Sequence, residues 1–273
     1  MVQTAAELFK CPVYATKEYV DILENPSAYH MPAMTAAPIN DIKSVENGHA
    51  MKWNEFELTF HFFPGQAIYH GALLVRREKE RPIFFIGDSF APSGMDDYCL
   101  QNRNLVNADG GYNLCLKKLR DIREPFWLVN EHIPFVFQFS DSELSYLESR
   151  YAQRTDILKE LFPWDAPNYG IDEQWAVFYP YGVASAAGRE IALEVHLTNH
   201  SPSMREFVVT PKVPTGMRLL NSEASVRLAP GQLGKVRMNI KVGSVMGNRL
   251  ITADVRSEGM EFNDWIEALV TVE

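Results

Sequence analysis

The chain has 273 residues, 46% of them hydrophobic, and a formal net charge of −9 at pH 7. This length and apolar content can supply the cores of two domains. The acidic balance, without a dense run of Lys or Arg, excludes a surface built to bind nucleic acid. No stretch approaches the roughly 20 apolar residues that cross a bilayer, and the first residues do not resemble a secretion signal. As written, the sequence predicts a cytoplasmic protein with no membrane partner.

The beginning of the chain predicts an α-β-α order of elements. Residues 4–9 are typical of the end of a helix, and residues 11–15 are typical of a short buried strand. Thr16 is a suitable helix N-cap, and Glu18 lies in the first turn after it. We therefore expect a short helix over residues 17–24.

The middle of the chain completes a predicted α/β domain over residues 1–162. Runs rich in aromatic and β-branched residues predict strands at residues 42–45, 56–63, 72–76, 82–86 and 126–130. Helices are predicted at residues 112–120 and from Ser140 onward, where Leu144, Leu147 and Tyr151 share one face. Strands that alternate with helices indicate a layered α/β domain.

The last third of the chain has a different pattern. Residues 163–185 form a connector that is too aromatic for a free linker, and we expect it to pack against one domain or both. Residues 186–273 then alternate apolar and polar side chains in short runs separated by turns such as Ala229-Pro-Gly-Gln232. Six or seven short strands in fewer than 90 residues predict an antiparallel β-sandwich. The sandwich resembles the immunoglobulin-like accessory modules of bacterial hydrolases.

Polar side chains stand at the exits of three predicted strands. Gln66 and His70 lie at the tip of the turn that begins Phe63-Pro-Gly, and Asp88 ends the apolar run Phe84-Phe-Ile-Gly-Asp. His132 follows the strand that ends at Asn130. The ends of strands are where α/β layers place ligands, and carboxylate and imidazole groups bind hard or borderline divalent metals. As a bare motif, Asp88 is equally suited to capping the next turn.

This order of motifs resembles the second half of the metallo-β-lactamase fold. In that family a Pro-Gly-His turn, a strand ending in Gly-Asp and a strand ending in His supply three of the metal-binding motifs. The resemblance covers residues 1–162 and implies a partial αββα layer in front of the sandwich. It further implies that Asp88 bridges two metals, that His132 is the last His ligand, and that zinc or another divalent metal is the cofactor.

The sequence departs from the family pattern in two ways. The seven histidines contain no His-x-His pair, so the family's His-x-His-x-Asp-His motif is absent. We expect that motif to precede residue 1 and the natural start to lie upstream, which also leaves the cellular location open. Gln66 stands where the turn normally places its His ligand, and a neutral amide is a poor zinc ligand. His70 could substitute for it if the turn is rearranged.

A polar loop over residues 92–104 follows Asp88. Loops after strand exits carry specificity in layered α/β enzymes. The sequence therefore predicts an unknown small-molecule substrate bound in this loop, with Arg103 suited to an anionic group. The predicted substrate-binding residues are Asp96, Asp97, Arg103 and Asn104. A solvated loop with local Asp caps is an equally good interpretation. We expect buried free thiols at Cys11, Cys99 and Cys115, which form no C-x-x-C motif.

Two functions from different classes follow. The first is the C-terminal portion of a metal-dependent hydrolase, with little or no activity as this chain alone because most ligands of the family site are missing. The second is a non-catalytic binding or assembly module, since an incomplete layer leaves sheet edges and apolar faces open. Its partner would be a second copy of the chain or a complementing N-terminal fragment. A carbohydrate-surface role for the sandwich rests on analogy alone.

Overall fold

The computed structural model describes residues 2–31, 37–95, 105–107, 109–222 and 224–273. The chain is mostly β, with few helices. It divides into two compact units, which we call the α/β unit (Met1–Glu24, Pro38–Pro163 and Gly170–Asp172) and the sandwich unit (Asn25–Ala37, Trp164–Tyr169 and Glu173–Glu273). None of the helices in the described part of the chain is long and apolar enough to cross a membrane.

Four of the helices agree with the sequence prediction to within a few residues, and the fifth lies in the stretch predicted as a connector. They are α1 (Val2–Phe9), α2 (Lys17–Glu24), α3 (Gly111–Asp121), α4 (Asp141–Leu161) and the single turn α5 (Asn168–Ile171). Helix α4 begins at the predicted residue because Ser140 forms a capping box. Its hydroxyl accepts from the Glu143 backbone N–H at 3.3 Å, and the Glu143 carboxylate accepts from the Ser140 N–H at 2.7 Å.

The α/β unit contains one main sheet and two small ones. In chain order its strands are β1 (Val13–Thr16), β2 (Ile42–Val45), β3 (Ala50–Trp53), β4 (Phe56–Phe62), β5 (Gly71–Arg77), β6 (Ile83–Phe85), β7 (Phe90–Ala91), β8 (Gly94–Met95), β9 (Trp127–Val129) and β10 (Val136–Phe137). The main sheet has the order β10-β9-β6-β5-β4-β3, in which only β6 and β9 pair in parallel. β1 and β2 form a separate parallel pair, and β7 and β8 form a hairpin.

One face of the main sheet carries the core of the α/β unit. Phe84, Leu128 and Phe137 are paired across β6, β9 and β10, so their side chains point to the same face. All three belong to the buried cluster that also contains the apolar faces of α3 and α4, including Leu116 and Leu147. The periodicity that predicts these helices is therefore explained by burial against the sheet.

The opposite face is apolar but only partly covered. Phe85, Val129 and Val136 are paired across the same three strands, one residue out of phase with the buried set. Phe85 is 43% exposed and Val136 is 53% exposed. We call the face that contains Phe85, Trp127, Val129 and Val136 the open face.

β1 and α2 form a separate small hydrophobic cluster around Ala15 and Leu23.

The sandwich unit consists of two sheets. Its strands are β11 (Ala176–Tyr179), β12 (Gly182–Ser185), β13 (Glu190–Thr198), β14 (Arg205–Lys212), β15 (Arg218–Ser222), β16 (Ser225–Leu228), β17 (Leu233–Lys241), β18 (Gly247–Ser257) and β19 (Met260–Val272). One sheet has the order β11-β13-β17-β15 and the other has the order β12-β19-β18-β14-β16. The buried positions of both sheets form one hydrophobic cluster, as expected when two alternating sheets pack face to face.

The structure adds strands that the pattern did not indicate. β11 and β12 lie in the stretch predicted as connector. β12 pairs with β19 in parallel, so the sandwich is not purely antiparallel. The aromatic residues of the connector are part of the sandwich core, because Tyr169, Trp175 and Phe178 are at most 2% exposed. Their size and the turn at Pro180 conceal the short alternation of β11 and β12 in the sequence.

Candidate functional site

The topology of the main sheet brings the three predicted strand exits to the same end of the sheet. β6 and β9 are parallel neighbours, so the residues that follow Phe85 and Val129 leave the sheet on the same side. β5 runs antiparallel to β6, and therefore the turn that enters β5 at Gly71 lies at that side too. Gln66 and His70 are in this turn, Asp88 follows β6 and His132 follows β9.

Asp88 is at the centre of the cluster. Gln66 donates a hydrogen bond from Nε2 to Asp88 Oδ2 at 2.9 Å. His132 Nε2 lies 3.3 Å from Asp88 Oδ1. The Asp88 side chain is 14% exposed, whereas that of His132 is 65% exposed. Oδ1 is buried and accepts no hydrogen bond from the residues that the structure describes. The carboxylate therefore keeps one oxygen facing an imidazole that solvent can reach.

The imidazole of His70 lies close to the backbone of Gly87, the residue before Asp88. Gly87 has φ +53, and a Cβ at this position would lie 2.6 Å from His70 Nε2, so no larger residue fits there without movement. Burial lowers the pKa of His70, and the backbone contact at Phe63 and the charge of Asp88 act against that effect. The burial of His70 therefore favours its neutral form.

Two buried polar residues that the sequence analysis did not single out hold the cluster together. Ser89 is fully buried, its hydroxyl accepts from the Gln66 N–H at 3.2 Å, and it lies 3.5 Å from His70 Nδ1. Asn130 is 5% exposed, donates to the carbonyl of Phe90 at 3.0 Å and accepts from the His132 N–H at 3.1 Å. Ser89 follows Asp88, and Asn130 lies two residues before His132. This closeness in sequence to predicted site residues is the feature that could have identified them.

The turn before β5 is also anchored on its outer side. The ring of Tyr69 stacks on that of Tyr19 in α2, with centroids 4.9 Å apart. Burial, with Tyr19 close by, raises the pKa of Tyr69 to about 12, so its phenol is neutral at physiological pH. The stacked pair fixes the turn that carries Gln66 and His70.

The donor set does not make a complete zinc centre. Zinc sites in proteins use three or four ligands from Cys, His, Asp or Glu. Among the residues that the structure describes, no group of three or more such side chains is placed to hold a metal. Asp88 and His132 supply two donors, and the hydrogen bond from Gln66 occupies the second oxygen of Asp88. We therefore assign no chemical step to a bound metal.

The first residues of the predicted substrate loop, 92–95, belong to the β7–β8 hairpin. Asp96, Asp97, Arg103 and Asn104 lie outside the described residues, as does Cys99. The other two cysteines are free thiols, and the expectation that they are buried is confirmed for Cys115 and wrong for Cys11, which is exposed. Burial raises the pKa of Cys115 well above its usual value, so this thiol is not an activated nucleophile.

No protein-family model matches the chain, and no curated protein matches it. Among solved structures, a B3 metallo-β-lactamase with an active-site glutamic acid aligns at 14% identity and a TM-score of 0.40, over 59% of this chain and 65% of that one. The metallo-β-lactamase MIM-1 from Novosphingobium pentaromativorans aligns at 15% identity and a TM-score of 0.39, over 59% of this chain and 66% of that one.

The third alignment is with a much longer protein. Escherichia coli α-2-macroglobulin aligns at 18% identity and a TM-score of 0.30, over 36% of this chain. The chain spans 9% of the macroglobulin and just under two thirds of each lactamase. At these identities and scores the likenesses identify neither a family nor an activity.

Proposed function

We propose that the cluster around Asp88 is part of the metal site of a metal-dependent hydrolase, and that this chain alone binds divalent metal weakly and hydrolyses little. The observation that carries the proposal is the state of the Asp88 carboxylate. It is nearly buried at a strand exit, and its Oδ1 faces the exposed imidazole of His132 without a hydrogen bond from a described residue. A buried carboxylate oxygen in this state is costly unless a ligand or water satisfies it.

The residues beside Asp88 can do part of the work of such a site. A carboxylate and an imidazole 3.3 Å apart can together hold a cation or orient a polar ligand. Gln66 fixes the rotamer of Asp88, and Asn130 fixes the loop that carries His132. The described residues place no third or fourth donor beside this pair, which is why we expect weak binding and little turnover.

Zinc titration tests this proposal directly. Two ligands should give calorimetric zinc binding with a Kd no tighter than about 10 μM. Asp88→Asn should abolish the binding, and His132→Ala should weaken it about tenfold or more. Glu194→Gln is the matched control, since Glu194 forms an imidazole–carboxylate pair of the same kind with His196 at 3.0 Å in the sandwich unit. It should leave zinc binding unchanged.

Two outcomes would contradict the proposal. One is stoichiometric, tight zinc binding together with brisk esterase, lactamase or phosphodiesterase turnover by the chain alone. The other is zinc binding that survives Asp88→Asn and is lost in the control variant, because the metal would then bind elsewhere in the chain.

The open face supports a second candidate function, an assembly module that pairs with another chain. Trp127 is 37% exposed, and the adjoining loop adds Ile133 at 84% and Phe135 at 53% exposure. Several exposed apolar side chains near a short edge strand are typical of a protein–protein interface. We expect the chain to self-associate as its concentration rises.

Sedimentation velocity tests the second candidate. The Phe135→Lys variant should self-associate less than the wild-type chain, because a charge placed in an apolar contact is costly. Met246→Lys is the control, since Met246 is similarly exposed, at 58%, in the sandwich unit. A wild-type chain that stays monomeric at all accessible concentrations, with low binding of hydrophobic dyes, would exclude self-association.

A further inference from the structure

The sandwich unit contains a groove that shares no residue with the cluster around Asp88. Its volume is about 510 Å³, which is within the range of small-molecule sites. The walls come from residues 28–31, β11, β13 and β19. The side chains that matter for recognition are Tyr29, His30, Glu173, Tyr179, Tyr181, His196, Trp265 and Glu267.

The groove is built by a segment that is fastened to the sandwich. The Tyr181 N–H donates to the carbonyl of Ala28 at 2.8 Å. Gly182 allows the same segment to approach closely, because a Cβ there would lie 2.9 Å from the Ser27 carbonyl oxygen. These contacts hold Tyr29 and His30 against the sheets, so the wall they form is defined before any ligand arrives.

Aromatic rings are arranged in pairs along the groove. His30 stacks on Tyr181 with centroids 4.3 Å apart and an angle of 13°, and His196 stacks on Tyr179 with centroids 4.9 Å apart and an angle of 15°. Tyr29 contacts Tyr179 edge-on, at 5.6 Å. Trp265 remains 42% exposed at the groove. Stacking restricts the tyrosine rings, which keeps their π-systems in place for a ligand.

Among the described lining residues, those with a formal charge at pH 7 are both acidic. Tyr181 donates from its hydroxyl to Glu267 Oε1 at 3.4 Å, and His30 Nδ1 lies 3.7 Å from the same oxygen. Glu173 adds a second carboxylate, and the described lining residues include no Lys or Arg. Glu194, beside His196, is already paired with Lys235 and Arg237. The formal charge of the described lining therefore comes from Glu173 and Glu267 and is negative, with the two histidines counted as neutral.

We propose that this groove binds an organic cation, a small ligand that carries a methylated ammonium group. Tyr and Trp rings attract cations through the negative faces of their π-systems, and the attraction is strongest for weakly hydrated quaternary ammonium groups. The two carboxylates add charge attraction, and the absence of a described Lys or Arg in the lining removes repulsion. The same features disfavour carboxylate, sulfate and phosphate ligands. The groove therefore assigns a binding role to the sandwich unit, independent of hydrolysis.

The test compares choline with 3,3-dimethyl-1-butanol, a neutral molecule of nearly the same shape. Saturation-transfer NMR and calorimetry on the full chain should show choline binding about tenfold or more tighter than the neutral analogue. Glu267→Gln should weaken choline binding about fivefold, and Tyr181→Leu should weaken it further by removing one ring. Glu190→Gln is the control, because Glu190 is an exposed glutamate on β13 that does not line the groove.

Tyr181→Phe separates the ring from its hydroxyl. It keeps the stacked surface, and we expect it to retain choline binding within about twofold of wild type, provided that Glu267 keeps its place. Equal binding of choline and its neutral analogue, or no choline binding, would overturn the proposal. Binding of cellobiose without binding of choline would overturn it in favour of a sugar site.

Discussion

The two units use alternating strands in opposite ways. In the sandwich unit both sheets turn their apolar faces toward one another, and residues such as Val195, Phe207 and Val255 are fully buried. In the α/β unit the main sheet buries one face against α3 and α4, while Phe85 and Trp127 on the open face stay exposed. A sheet with two apolar faces needs two covering layers. The α/β unit therefore leaves part of one apolar sheet face exposed, whereas the sandwich unit buries the apolar faces of its two sheets against each other.

The units differ as well in where they place ionisable groups. In the α/β unit burial lowers the pKa of His61 to about 4 and raises that of Tyr69 to about 12. In the sandwich unit charges lie in surface networks, and the hydrogen bond from Lys235, followed by that from His196, lowers the pKa of Glu194 to about 2. The α/β unit is therefore the one that acid should destabilise first.

The largest expected effect comes from truncating the same residue type in the two settings. Phe207→Ala removes a fully buried ring and should lower the free energy of unfolding by about 4 kcal/mol. Phe85→Ala removes a ring that is 43% exposed and should lower it by less than about 1 kcal/mol. Chemical denaturation followed by tryptophan fluorescence measures both. A similar cost at the two positions would show that the open face is covered in solution.

The next largest effect is expected on acid titration, which should destabilise the α/β unit at a higher pH than the sandwich unit. The pKa of His61 is about 4 in the folded state against an ordinary value of 6.5. Between these two values the unfolded chain binds a proton at His61 and the folded chain does not. Stability is then present above pH 6.5 and is lost as the pH falls toward 4. For this group we expect a loss of up to about 2 kcal/mol at pH 5.

The sandwich provides the internal control for that titration. The lowered pKa of Glu194 contributes stability above the ordinary value of 4.5, and this contribution is lost only as the pH falls toward about 2. Hydrogen exchange at pH 7 and pH 5 should show faster opening of the α/β unit and little change in β13 and β17. His61→Gln should reduce the difference. Equal acid sensitivity of the two units would remove the distinction we draw between them.

The smallest expected effect concerns the helix layer over the main sheet. Ser140→Ala removes the capping box of α4 and should cost about 1 kcal/mol in the α/β unit. Ser149→Ala changes an exposed serine within the same helix and should have almost no effect or stabilise slightly. Exchange rates of amides in the first turn of α4 measure both. Loss of protection in the sandwich strands instead would mean that the units do not open separately.

Part of the candidate site could be anticipated from the chain order of its motifs. Gln66, Asp88 and His132 each follow an apolar strand, and the structure brings them into contact at one end of the sheet. Their proposed role in metal binding remains a prediction. The hydrogen bond from Gln66 to Asp88 was not foreseeable, because it depends on how a turn and a strand exit 22 positions apart are aligned by the pairing of β5 with β6.

Helices α1 to α4 and most of the longer strands follow from the sequence alone, since helix periodicity, the Ser140 cap and strand alternation are properties of neighbouring residues. The sequence also determined which residue types stand at the strand exits. Only the tertiary structure decided which sheet face is covered, that connector residues 176–179 and 182–185 are sandwich strands, and that rings and carboxylates line one groove. These features join residues far apart in the chain, and their proximity depends on strand order and register, which no local pattern encodes.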